Sequence, residues 1–153
     1  MRPPHFLRRA RESLRMEIRL YDTLPQEAAA IRTAVFIEEQ GFCGEFDETD
    51  RVSRHLVAFD GDKAVGTCRV FPVQAGYAVG RIAVVKERRG EHIGARLLSA
   101  AEQAVRELGG GRIVLHAQAQ ARAFYEKQGY TPFGQADEEE GCPHVWMQKN
   151  LLP

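Results

Sequence analysis

The chain has 153 residues, of which 44% are hydrophobic and 27% are charged, as in an ordinary globular domain. Its 21 basic and 21 acidic side chains cancel, so charge gives no reason to expect nucleic acid or an anionic membrane as a partner. No apolar run reaches the length of a membrane span. These features indicate one soluble domain, long enough to bury roughly 70% of its extended-chain surface.

The three cysteines, Cys43, Cys68 and Cys142, are scattered and odd in number. This is not a disulfide framework, and it indicates a reducing, cytoplasmic location. Cys142 lies near His144, but a zinc site needs more convergent ligands than this spacing offers, so we expect no metal.

Residues 1–15 contain five arginines and no sustained apolar segment. A secretory signal requires such a segment, so none is expected. The stretch could be a basic tail, a short amphipathic helix or an extended start-site artefact, and we interpret it as a basic tail. The expected domain then spans residues 16–153.

The domain begins with a strand and a helix. Residues 16–21 alternate in polarity like a strand, and a helix is expected from Pro25 to about Gln40, where Gly41 ends it. Residues 41–53 are loop-like and acidic. They are either a solvated loop or an acidic lip that attracts a cationic amine.

A hairpin follows and leads into a strand–helix–strand unit. The hairpin strands, residues 55–59 and 64–73, are joined by an Asp-Gly-Asp turn. The unit consists of a strand at 77–85, a charged turn at 86–92, a helix of apolar periodicity from Ile93, and a buried strand at 112–117.

The chain ends with a helix at 119–128 and strands at 130–134 and 144–149, which an acidic loop at 137–140 connects. The two strands of the strand–helix–strand unit should be parallel, with a right-handed crossover. The hairpin strands before it should be antiparallel. We therefore predict a single α/β domain with a mixed sheet.

The basic turn before the long helix has a possible chemical use. The first N–H groups of a helix lack partners within it, and the helix dipole adds positive charge at that end. Gly90 and Gly94 allow close approach to the backbone, and Arg88 and Arg89 can donate to phosphate oxygens. The pattern is typical of an anion site, although an ordinary turn with solvated arginines would read the same way.

The segment RRGEHIGARLL resembles the acetyl-coenzyme A loop of the GCN5-related N-acetyltransferase (GNAT) superfamily, Arg/Gln-x-x-Gly-x-Gly/Ala. The pattern falls on Arg89, His92 and Gly94. The chain departs from it at His92, where the family has glycine. The resemblance then implies that the backbone N–H of His92 still binds the pyrophosphate, while its side chain points away from that group.

The segment HAQAQARAFYEKQGY is a second match, to the superfamily pattern Asn-x-x-Ala-x-x-Leu/Phe-Tyr-Glu-Lys-x-Gly-Phe/Tyr. Gln118 stands at the asparagine position and keeps both amide functions. The rest of the motif falls on Ala121, Phe124, Tyr125, Glu126, Lys127, Gly129 and Tyr130.

The chain is most similar to the YjcF/ElaA-like bacterial acetyltransferases within this superfamily. The residues that carry this closer resemblance are Arg32, Val35, Phe36, Glu39, Gln40, the run 117–120, and Pro143-His144. The resemblance implies a mixed, mostly antiparallel sheet of about six to seven strands flanked by helices. It also implies acetyl-CoA as cofactor.

The resemblance assigns residues to the cofactor and to the chemistry. Those expected to bind acetyl-CoA are Ile82, Ala83, Val84, Arg88, Arg89, Gly90, Glu91, His92, Ile93, Gly94, Ala95, Gln118, Ala121, Phe124 and Lys127. Tyr125 falls on the position that protonates the departing thiolate, although it could instead be a core aromatic with a satisfied hydroxyl. Glu39 and His116 are candidates for the base, and His144 for the acceptor side.

The expected activity is transfer of an acetyl group to a primary amine, small or on a peptide, by direct attack on the thioester. Two alternatives remain open. The enzyme could use a longer acyl chain, or the protein could be a coenzyme A-binding module without turnover, because His92 and Gln118 depart from the family pattern. The expected assembly is a monomer or a homodimer.

Overall fold

The computed structural model describes residues 16–152, and the predicted basic tail at residues 1–15 lies outside them. Its strands are β1 (Met16–Tyr21), β2 (Arg54–Asp60), β3 (Lys63–Val73), β4 (Gly76–Val84), β5 (Arg112–Gln118), β6 (Thr131–Glu139) and β7 (Cys142–Asn150). They form one sheet with the order β1-β2-β3-β4-β5-β7-β6. Five of the six neighbouring pairs are antiparallel, and β4 with β5 is parallel. The predicted mixed α/β sheet is confirmed.

Four α-helices within the described part of the chain accompany the sheet. They are α1 (Gln26–Arg32), α2 (Thr49–Val52), α3 (Ile93–Glu107) and α4 (Arg122–Lys127). The segment Thr33–Glu39 extends α1 as a π-helix, and short 3-10 turns occupy Lys86–Arg88 and Ala119–Ala121. Within residues 16–152, no helix is both long enough and apolar enough to cross a bilayer.

The two long helical segments cover opposite faces of the sheet because side chains alternate along each strand. On β2, Leu56 and Ala58 join the core cluster that contains the apolar face of α3. Val57 and Phe59, which point the other way, pack with Ala28 of α1. Full burial of an apolar side chain contributes about 1.5–3 kcal/mol, so both layers stabilise the sheet.

Three predicted elements differ from the structure. The single helix expected from Pro25 to Gln40 changes to π geometry after Arg32, and Pro25 is its N-cap. The helix expected at 119–128 is a 3-10 turn followed by α4. The acidic residues Asp137–Glu139 belong to β6 and not to a loop, because β6 pairs with β7 as far as Glu139↔Cys142.

Candidate active site

Helix α3 begins at the charged turn, and its first backbone N–H groups border an open cavity. Gly90 (φ +84°) and His92 (φ +65°) have left-handed backbones that turn the chain into Ile93. His92 is the N-cap, and no side chain caps the helix, so the first N–H groups have no partner within it. The cavity, of about 220 Å³, is lined by residues that include Gly90, Gly94 and Ala95. This geometry suits an anion.

The two arginines of the turn are already paired with carboxylates. Arg88 contacts Asp60 at 2.9 Å and Glu91 at 3.0 Å. Arg89 makes a two-pronged contact with Glu39, with N–O distances of 2.6 and 2.8 Å, and donates from Nε to the Val84 carbonyl. An incoming anion would therefore share or replace carboxylate partners.

The left-handed backbone at His92 explains why glycine suits this position. A residue with a Cβ in that region costs roughly 1–2 kcal/mol, and histidine is among the side chains that tolerate it best. His92→Gly should therefore raise the free energy of unfolding by up to about 1 kcal/mol. Its imidazole is exposed, so coenzyme A affinity should be kept or improved.

Thermal or urea unfolding, together with calorimetric titration of coenzyme A, tests this prediction. Gly90→Ala is the matched control, because a Cβ there meets no atom within 4 Å and only the backbone conformation opposes it. It should destabilise the protein. A large loss of cofactor affinity in His92→Gly would show that the imidazole is itself a ligand.

Strands β4 and β5 separate soon after they pair. Only Tyr77↔Ile113 and Ala78↔Val114 are in register among the described residues. Arg81 has a left-handed backbone (φ +52°), and the register with β3 shifts between Thr67↔Ala83 and Arg69↔Gly80. This is a β-bulge, which bends a strand and frees its backbone groups.

The separation opens a cavity of about 380 Å³ between the two strands. Its walls include residues 79–82 of β4, residues 115–118 of β5, and Tyr125 of α4. Phe36 of the π-helical segment also lines the cavity, as does Gln40, the first residue after that segment. Since π geometry often marks functional positions, the cavity is the candidate active site.

Tyr125 is partly buried at the wall of this cavity, with its ring edge-on to Phe124 and Tyr130. Burial, with a smaller contribution from Cys68, raises the pKa of its hydroxyl well above the ordinary value. The hydroxyl therefore keeps its proton at neutral pH, where it can donate a hydrogen bond.

His116 of β5 also lines this cavity, where two aromatic rings and two carboxylates surround it. Its ring stacks between His144 and Trp146, at centroid distances of 4.5 and 4.4 Å. Its Nε2 lies 2.6 Å from the Asp137 carboxylate, and its Nδ1 lies 3.3 Å from Glu139. His144 is itself fixed by a 2.7 Å contact between Nδ1 and the Cys142 carbonyl.

The ligating atoms of His116, Glu139 and His144 all lie within 4.8 Å of one another. Histidine binds a metal through a lone pair in the ring plane, about 2.0–2.1 Å from zinc. The two stacked rings are only 30° from parallel, so their lone pairs do not converge on one ion. The cluster is better suited to proton chemistry than to a metal.

The acidic loop at residues 41–53 does not form the lip that the sequence allowed. Three of its four carboxylates meet three arginines from other elements, whereas Glu48 stays exposed beside Arg51. We call this set the arginine–carboxylate cluster; its members are Arg32, Glu45, Asp47, Asp50, Arg69 and Arg81. Three positive and three negative charges cancel, so the loop offers no net attraction for an amine.

The centre of this cluster is buried. Arg32 is 1% exposed and contacts both Glu45 and Asp50 at 2.8 Å. Burial alone would raise the pKa of Asp50, but hydrogen bonds and charge from Arg32 and Arg69 outweigh it and lower that pKa to about 2. The cluster fastens the loop to the β4 bulge through Arg81, which contacts Glu45 at 3.0 Å.

The predicted site residues divide between the two cavities. Those lining the smaller one are Val84, Arg88, Arg89, Gly90, His92, Ile93, Gly94, Ala95 and Phe124. Those lining the larger one are Ile82, His116, Gln118, Ala121, Tyr125 and His144. Four predicted residues, Glu39, Ala83, Glu91 and Lys127, line neither. Ala83 packs against α1, and Glu39 and Glu91 are bound to the turn arginines.

Several residues that line the larger cavity were not predicted from the sequence. Arg69, Arg81 and Glu45 could not be identified from local sequence because their pairings span 13 to 36 residues. Glu139 could have been found from its spacing to Asp137, since alternate residues of a strand share a face. Trp146 is two residues after His144 and follows the same rule.

Comparison with known proteins agrees with this architecture. The family described as "Acetyltransferase (GNAT) domain" matches residues 21–151. A Bacillus subtilis (strain 168) protein named as a candidate acetyltransferase is 39% identical over 127 residues, or 80% of this chain and 86% of that one. "Uncharacterized N-acetyltransferase YjcF" of the same organism is 35% identical and covers 82% and 91%.

Solved structures show the same fold. The crystal structure of Escherichia coli ElaA has a TM-score of 0.79 and 26% identity, covering 88% of this chain and 99% of that one. An aminoglycoside 6'-N-acetyltransferase complexed with coenzyme A has a TM-score of 0.71, covering 90% and 98%, and its 20% identity shows only the shared fold. The predicted resemblance is thus confirmed, and the chain belongs to the GNAT acetyltransferase family.

Proposed function

We propose that this protein is an acetyl-CoA-dependent N-acetyltransferase that acts on a primary amine by direct attack on the thioester. One observation carries the proposal. One cavity lies at the uncapped N-terminus of α3, and a second, lined by residues of β4 and β5, holds both a tyrosine, Tyr125, and a histidine, His116. These are the parts that transfer from a phosphate-bearing thioester requires.

The start of α3 fits the pyrophosphate of coenzyme A. Its free backbone N–H groups and dipole favour negative charge. The N–H groups of residues 92–95 donate to the phosphate oxygens, and Arg88 and Arg89 add positive charge. Support comes from the family and from the related fold that is complexed with coenzyme A.

The splayed part of β4 fits the pantetheine arm. Beyond Ala78, the side of β4 that faces β5 has no strand partner among residues 16–152, so its backbone groups can pair with amides of a ligand as an added strand would. Ile82, Ala83 and Val84 supply these groups. Gln118, Ala121 and Phe124 form the opposite side of the cleft.

Bound acetyl-CoA supplies an acetyl thioester, whose carbonyl carbon is open to attack by an amine. A backbone N–H of β4 donates to the carbonyl oxygen and stabilises the charge that develops there. Tyr125 donates its proton to the leaving sulfur. His144 and the cavity walls contact the acceptor.

Arg89 should contribute to cofactor affinity through its charge. Arg89→Glu is expected to weaken coenzyme A binding severalfold or more, and less at high salt, because exposed charges are screened. The matched variant Glu39→Gln removes the carboxylate partner of Arg89 and should leave binding unchanged or tighter. Calorimetric titration at two salt concentrations measures both. Equal losses in the two variants would mean that the pair matters only for structure.

A cytoplasmic location fits the three cysteines, none of which is in a disulfide.

Two functions compete with acetyl transfer: transfer of a longer acyl chain, and cofactor binding without turnover. Purified protein is tested with acetyl-CoA and longer acyl-CoA thioesters against a panel of amines, with free thiol as the readout. We expect amine-dependent thiol release that is fastest with acetyl-CoA. Tight coenzyme A binding with no release for any amine would support the non-catalytic alternative.

A further inference from the structure

We infer that His116 is the general base of the reaction, held in its working form by Asp137, and that Glu139 receives the proton from it. The inference rests on the proposed acetyl transfer and adds the group that accepts a proton from the attacking nucleophile. His116 and Tyr125 line the same cavity, so a base and an acid share one site.

The contacts of His116 define its tautomer. A carboxylate only accepts hydrogen bonds when ionised, and the neutral ring has one proton to give. The shorter contact, 2.6 Å from Nε2 to Asp137 Oδ1, takes that proton. Nδ1 then carries the lone pair, and its 3.3 Å contact with Glu139 becomes a hydrogen bond once Nδ1 has taken up a second proton. A carboxylate that orients an imidazole in this way is the recurring support of catalytic histidines.

Stacking on both neighbours restricts rotation of the ring. His144 and Trp146 stack on its two faces, at interplanar angles of 30° and 23°. The carboxylates of β6 reach it because Asp137↔His144 and His116↔Trp146 are in register across the sheet. Such preorganisation is what a proton-transfer group needs.

Glu39, the other candidate, is unsuited to the role. Its carboxylate is bound by Arg89, whose hydrogen bonds lower its pKa, and a lower pKa makes it a weaker base. Glu39 also lies outside the lining of the larger cavity.

In the proposed step, one bond forms while another breaks. Nδ1 of His116 takes a proton from the amine nitrogen while that nitrogen forms a bond to the thioester carbon. The carbon–sulfur bond breaks, and the sulfur receives the proton of Tyr125. The extra proton on His116 passes to Glu139 Oε2, 3.3 Å away, and then to solvent, because the Glu139 side chain is 51% exposed. Solvent returns a proton to Tyr125.

Water can serve as the nucleophile in the test, so no acceptor needs to be known. The full chain is incubated with acetyl-CoA alone and then with a reactive amine from the panel, and thiol release is followed. His116→Ala should lower both rates at least about tenfold, with coenzyme A affinity unchanged. Free imidazole should restore part of the loss, whereas pyrazole, which has the same shape but is a far weaker base, should not.

Two further variants separate positioning from general loss of structure. Asp137→Asn should lower the rate severalfold without rescue by imidazole, because His116 still fills the space. Glu138→Gln, between the two carboxylates but on the other face of β6, should leave the rate unchanged. Full activity in His116→Ala, or equal rescue by pyrazole, would overturn the inference. A wild type that binds coenzyme A but releases no thiol would instead overturn the proposed function, and the base with it.

Discussion

Tyr125→Phe is expected to lower kcat on the order of 10²-fold, or about 2.7 kcal/mol of transition-state stabilisation, while the Kd for coenzyme A stays nearly constant. The substitution removes one hydroxyl and keeps the ring, which packs edge-on against Phe124 and Tyr130. Because burial raises the pKa of this hydroxyl, it is protonated and able to donate. The loss should shrink at low pH, where solvent can protonate the thiolate.

Tyr130→Phe is the matched control for this experiment. Tyr130 is 2% exposed, and its hydroxyl donates to Glu102 at 2.9 Å within the core. Losing that bond should cost about 1–3 kcal/mol of stability and leave kcat almost unchanged. Both variants are compared by kcat, by cofactor Kd and by thermal unfolding. Full activity in Tyr125→Phe would reduce Tyr125 to a packing residue.

Arg32→Met should destabilise the fold by about 3–5 kcal/mol, the usual cost of removing one partner from a buried ion pair. Methionine fills much of the same space but leaves the buried carboxylates of Glu45 and Asp50 without their 2.8 Å contacts. Urea unfolding at neutral pH measures the change. Arg51→Met is the matched control, because Arg51 follows Asp50 in α2 but has a side chain that is 80% exposed, and it should change stability by less than about 0.5 kcal/mol.

The pH dependence of stability gives the same cluster a second test. Arg32 and Arg69 lower the pKa of Asp50 from 3.8 to about 2. A depressed carboxyl pKa contributes stability that is present above the unfolded value and is lost as pH falls through the folded one. The wild type should therefore lose stability between about pH 4 and pH 2. Arg32→Met should lose less over that range, and an equal loss would mean that Arg32 does not bind Asp50.

Much of the fold could be predicted from local patterns. The apolar spacing from Ile93 to Val105 locates the start of α3, and the Asp-Gly-Asp turn locates the β2–β3 hairpin. Both depend on periodicity within a short window, which the sequence displays directly. The remaining strands and helices were predicted from the same kind of pattern, and the superfamily resemblance implied the same order.

The features that sequence could not predict depend on distant partners. Glu45 and Asp50 look like solvated loop charges until Arg32, Arg69 and Arg81 are brought to them. The bulge at Arg81 has no local signal, because arginine is not a residue that favours a left-handed backbone. The π geometry of Thr33–Glu39 also has no local signal, because the apolar pattern of this segment fits an α-helix equally well.

The most direct test is the stoichiometry of a single reaction. The protein is mixed with acetyl-CoA and the best amine of the panel, and free thiol, acetylated amine and the mass of the intact protein are measured together. Direct transfer predicts one thiol for each acetylated amine and no acetyl group retained on the protein. Acetylated protein as the species that passes the group on, or bound coenzyme A without any acetylated amine, would contradict it.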